Sequence, residues 1–140
     1  LVSNGFIARR IEMKKLFGAA LLGLLVLAGA SAQSAYDSAK VKDAMHVNGG
    51  SLQAAKKAID ATDPKGAAEA FQAIVTANKP LLAMNPPKGT KADWDKAFNA
   101  LIATAQKGAV AAEAKDWDGA KAALADLRKA MGAGHGAFKG

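Results

Sequence analysis

The feature that most constrains this chain is a helix-spaced apolar stripe that occurs four times, with almost no strand signal between. Val41, Met45, Asn48, Leu52, Ala55 and Ile59 follow one another in alternating steps of four and three, which lines them along one helix face. Ala67, Phe71, Ile74, Asn78 and Leu81 form a second stripe, and Trp94, Phe98, Leu101, Ala105, Gly108 and Ala112 a third. The fourth holds Trp117, Ala120, Leu124, Leu127, Met131, His135 and Phe138. Asp63-Pro64 reads as a helix cap followed by a first-turn proline. "NPPKGT" is the clearest loop, and Ala114 to Asp118 form a short connection with Asp116 as a cap. Four such segments on short links predict an all-α fold, an antiparallel up-down-up-down four-helix bundle. Its first helix should lie beside both the second and the fourth.

The stretch "MKKLFGAALLGLLVLAGASAQ" reads as a secretory signal. Lys14 and Lys15 give a basic start, an apolar run extends from Leu16 to about Ala28, and Ala30-Ser31-Ala32 supplies the small-residue cleavage pattern. The run is shorter than the roughly 20 residues a spanning helix needs, so no membrane anchor is expected after cleavage near Ala32/Gln33. Residues 1–12 precede the first methionine, Met13, and read as a start site assigned too early. Arg9-Arg10 then lies outside the basic start, which favours the Sec route. The mature domain is expected to be residues 33–140, in the periplasm.

Removing these segments takes away four cations and one carboxylate, so the formal charge falls from +7 to +4. The remaining lysines are interleaved with Asp and Glu along every helix, without aromatic platforms, so no nucleic-acid partner is expected. The chain has no cysteine, which excludes disulfides, thiolate metal sites and a cysteine nucleophile. Alanine-rich stripes make a lean core. They allow close helix packing, or leave volume for a flat cofactor.

Two histidines are the remaining chemistry. His46 is turned about 100° from the Met45 stripe and reads as a surface or boundary residue. His135 falls on the fourth stripe, in "MGAGHGAF", flanked by Gly132, Gly134 and Gly136. A glycine inside a helix costs roughly 1 kcal/mol against alanine. Two readings follow: a helix end that frays, with His135 in water, or a backbone cleared for a bulky planar group. Met131 and His135 share a face at i, i+4, so they cannot grip opposite sides of one metal; Met45, on an adjacent helix, could oppose His135. No Glu-x-x-His, histidine pair, nucleophile–base set or phosphate loop is present.

The order of "DAMHVNGGSL", "MNPPKGT", "WDKAF" and "HGAFK" resembles the cytochrome c-prime family and its b-type relatives, the cytochrome b562 family. The likeness spans the whole mature chain. In the c-type members the last helix carries C-x-x-C-H; here those positions read Met131, Gly132, Ala133, Gly134 and His135. The histidine matches and both tethering cysteines are absent, which excludes covalent haem c. The b-type members hold haem b non-covalently between a methionine of the first helix and a histidine of the last, and Met45 and His135 match them. The resemblance therefore implies haem iron ligated by Met45 and His135. The expected pocket lining is Asn48, Leu52, Phe98, Leu127, Met131 and Phe138.

The function implied is a periplasmic, non-enzymatic electron carrier that meets a redox partner protein. The alternative is a haem-free bundle that serves as a binding or structural module, and a smaller class would bind a gas at a five-coordinate haem, with Met45 as plain core. Bundles of this family can form a homodimer through an outer helix face, but no outer apolar stripe here calls for it.

Overall fold

The computed structural model describes residues 34–139; the expected start site and the signal segment lie outside the described residues. Four helices follow in order: α1 Ser38–Asp60, α2 Pro64–Asn78, α3 Lys91–Glu113 and α4 Trp117–Phe138. Each begins where a short polar side chain takes up free backbone N–H groups. Asp37 accepts from Ala39 and Lys40 at 3.1 and 3.2 Å. Asp63 accepts from Gly66 and Asp116 from Gly119, both at 3.0 Å. The Thr90 hydroxyl accepts from the Asp93 amide at 3.1 Å and donates to its carboxylate at 2.7 Å. Pro64 occupies the first turn, where its missing N–H leaves nothing unbonded.

The α1–α2 and α3–α4 turns are built alike. Thr62 and Lys115 each adopt a left-handed conformation, with φ of 50° and 56°. The next residue is the Asp cap, whose amide donates back to Ala58 or Ala111 at 2.8 Å. The α2–α3 connection differs. After Asn78 the chain tightens into a 3₁₀ segment, Lys79–Ala83, because Pro80 has no N–H to continue an α-helical ladder. The sequence stripe ran on to Leu81, so the α-helix stops earlier than its apolar pattern.

The helices pack as an antiparallel four-helix bundle in which α1–α2, α2–α3 and α3–α4 are intimate and α1–α4 is much looser. The end carrying the two short turns is the tighter one. Ile59, Phe71, Ile74, Leu124 and Leu127 fill it together with nine buried alanines. A Cβ on Gly108 would lie 2.5 Å from the Phe71 ring, so glycine there is what lets α3 close on α2. At the other end Ala44, Leu81, Met84, Trp94 and Phe98 form a second cluster. No helix among the described residues is long and apolar enough to cross a membrane.

Between the two clusters α1 and α2 are pinned by a buried amide pair. Asn48 donates to Asn78 at 3.2 Å, and Asn78 donates back at 2.7 Å and also to the Ile74 carbonyl at 2.7 Å. Asn78→Leu should lower stability by about 1–3 kcal/mol, because it leaves the Asn48 amide buried without its partner. The double change Asn48→Leu/Asn78→Leu should recover much of that loss in urea denaturation.

Candidate functional site

The loose α1–α4 seam opens at the end opposite the short turns into a pocket of about 700 Å³. Because the helices alternate in direction, the start of α1, the start of α3 and the end of α4 meet there. Val41, Met45 and His46 contribute from α1, Trp94, Phe98 and Leu101 from α3, and Met131, Gly134, His135 and Phe138 from α4.

An aromatic wall backs the pocket. The Trp94 ring lies 4.5 Å from Phe98 and 5.2 Å from Phe138, centroid to centroid. Its indole N–H donates to the Leu81 carbonyl at 2.8 Å, which fixes the ring without leaving a buried donor unbonded. Tyr36 stands edge-on to Trp94 at 6.4 Å. It is carried there by a short parallel pairing in which Ser34 donates to Ala83 at 2.8 Å and accepts from Asn85 at 3.0 Å.

Helix α4 runs unbroken through Gly132, Gly134 and Gly136 to Phe138, so the glycines sit inside the helix and its end does not fray before them. Phe138 anchors it: the ring packs on Trp94, and a Cβ on Gly89 would lie 3.5 Å from it. A Cβ built on any of the three helical glycines meets nothing within 4 Å. Packing within the polypeptide therefore does not require glycine there.

Of the lining expected from sequence, Phe98, Met131 and Phe138 face the pocket. Asn48, Leu52 and Leu127 do not. Asn48 is taken by Asn78, and Leu52 and Leu127 pack into the cluster at the tight end. All three lie on the inward stripes, but deeper along the bundle axis than the pocket floor. Met45 and Met131 are half-buried on the α1 and α4 walls, and His135, on the inward stripe, is nevertheless exposed because α1 stands off from α4 here. The same splay brings His46, expected to be a surface or boundary residue, onto the pocket wall while leaving it exposed. Trp94 and Leu101 share the Phe98 stripe, so that spacing was the signal for them. Tyr36 and His46 had none. Among the described residues no group of three or more His, Asp or Glu is placed to hold a metal ion.

A family model, Cytochrome b562, matches residues 40–139, from the first turn of α1 past the end of α4. The chain belongs to the cytochrome b562 family. No curated protein and no solved structure matches it. Members of this family are haem-binding four-helix bundles that hold haem b without covalent bonds, and the absence of cysteine from this chain agrees with non-covalent binding. The pocket suits such a group: it is largely apolar, falls within the roughly 300–1,000 Å³ of ligand pockets, and has soft donors on both α1 and α4.

Proposed function

We propose that this chain is an exported haem b protein that carries electrons, with Met45 and His135 as the residues that would hold the haem iron. The observation that carries the reading is that a thioether on α1 and an imidazole on α4 belong to the same apolar pocket. Bound there, haem b supplies a one-electron ferric/ferrous couple. As a ligand, the Met45 thioether would favour the ferrous state and raise the potential. With both residues as ligands the iron would have no open position, which would favour electron carriage over oxygen chemistry. The Trp94–Phe98–Phe138 wall keeps water from one side. Lys42 and Lys139 line the pocket and no carboxylate among the described residues does, which suits a group with anionic substituents. The signal-like segment at residues 13–32 supports a periplasmic location, where a redox partner protein would collect the electron.

The test is an optical titration of the haem-free chain with hemin, in the oxidised and reduced states. One equivalent should be taken up with a sharp low-spin spectrum. No stoichiometric uptake would favour the haem-free binding or structural module. A high-spin spectrum unchanged by Met45→Ala would favour five-coordinate gas binding.

The glycines give a second check. Gly132→Ala should raise the stability of the haem-free chain by about 0.5–1 kcal/mol, since the new methyl meets nothing and alanine is the better helix former. Gly134→Ala should give a similar gain in thermal unfolding, but it adds bulk inside the pocket and should weaken hemin binding. Equal hemin affinity in the two variants would contradict the idea that Gly134 clears space.

A further inference from the structure

The described residues include two histidines and three methionines, and all of them except Met84 line the one pocket. Met84 is buried in the apolar cluster beneath it. Haem ligation by Met45 and His135 leaves His46 and Met131 without a role.

We propose that the haem-free chain binds one copper(I) ion in this pocket, through donors drawn from Met45, His46, Met131 and His135. Met131 and His135 stand at i, i+4 on α4, where side chains begin about 5–6 Å apart; the same spacing lets two histidines of one helix chelate a metal. Met45 and His46 are neighbours on α1, and the open seam gives both to the pocket wall. A pair sharing one helix face cannot supply opposite ligands of a planar macrocycle's metal. For a small ion held from one side by α4 and from the other by α1, that restriction disappears.

The donor set decides which ion. Thioethers select copper(I), and imidazole is acceptable to it. Calcium and magnesium need oxygen ligands, and no carboxylate among the described residues lines the pocket. Lys42 and Lys139 at its edge oppose a divalent ion more than a monovalent one. Zinc, which takes imidazole but gains little from thioether, should bind more weakly.

The experiment uses the full, haem-free chain under anaerobic reducing conditions, titrated with copper(I) against bicinchoninate as a coloured competitor. One equivalent should be withheld from the competitor, with sulfur and nitrogen neighbours in the copper X-ray absorption spectrum. Changing even a residue that only orients a metal ligand costs about tenfold to a hundredfold in affinity, so Met131→Leu and His46→Ala should each weaken binding by at least tenfold. Circular dichroism should show both variants as helical as the parent. Complete transfer of copper to the competitor would overturn the proposal. So would equal affinity in parent and both variants, or zinc(II) displacing copper(I) at equal concentration. Because the readout needs no haem, failure here is separate from failure to take up hemin.

Discussion

His135→Ala should leave the bundle folded and remove its low-spin haem spectrum. The side chain is exposed, and alanine is the stronger helix former, so thermal unfolding of the haem-free variant should match the parent or rise slightly. Binding should behave differently. If His135 is an iron ligand, as proposed, its loss removes more than an orienting partner would, and that alone is worth up to about a hundredfold; hemin affinity should then fall by at least about a hundredfold. The stabilisation that haem gives the parent, about 2.7 kcal/mol when free ligand is a hundred times its dissociation constant, should shrink with it. A low-spin spectrum in His135→Ala would assign the nitrogen ligand to another residue, and His46 is the other histidine on the pocket wall.

Trp94→Ala should be the most destabilising single change at the pocket end, by about 3–5 kcal/mol as for other buried tryptophans. Trp94 is only 2% exposed and packs against Tyr36, Phe98 and Phe138, and its loss also removes one of the two hydrogen bonds to the Leu81 carbonyl, which keeps the Met84 amide. Against a total stability of about 5–15 kcal/mol, that is a large fraction. The damage should be uneven. Phe138 loses the ring it packs against, so amide exchange should quicken over residues 131–138 of α4 more than at the Phe71–Leu127 end. Hemin affinity should drop too, although Trp94 is no ligand. Trp94→Phe keeps a ring and loses mainly the hydrogen bond, and because the Leu81 carbonyl keeps the Met84 amide the loss of that bond should cost about 0.5–1.5 kcal/mol. Equal denaturation midpoints for Trp94→Ala and the parent would contradict the role given to the aromatic wall.

The helices and the all-α bundle were legible because local chemistry sets them. Asp63-Pro64 and Asp116 mark helix starts by their own hydrogen bonds, and the apolar steps of three and four name the inward faces. Periodicity gives a face, however, and not a height along the axis. Leu127 and Met131 share a stripe, yet one is sealed in the tight end and the other lines the pocket. Asn48 and Asn78 were both placed inward, but only the packed bundle pairs them. Tyr36 reaches the site through a pairing between Ser34 and Met84, fifty residues apart, and no local pattern carries that information. His46 is exposed, as expected of a surface or boundary residue. Its place on the pocket wall was not legible for a related reason: an ideal bundle would turn it outward, whereas the parted α1–α4 seam makes its flank part of the wall.

Met45 and His135 are proposed to hold one haem between α1 and α4. A methyl group held over a porphyrin face lies in its ring current, which moves the methyl proton resonance far upfield. The proton spectrum of the reduced, hemin-loaded chain should contain one such methyl signal, assigned to Met45 and absent from Met45→Leu. A reduced, haem-loaded spectrum without that signal, or one in which it survives Met45→Leu, would contradict ligation by Met45.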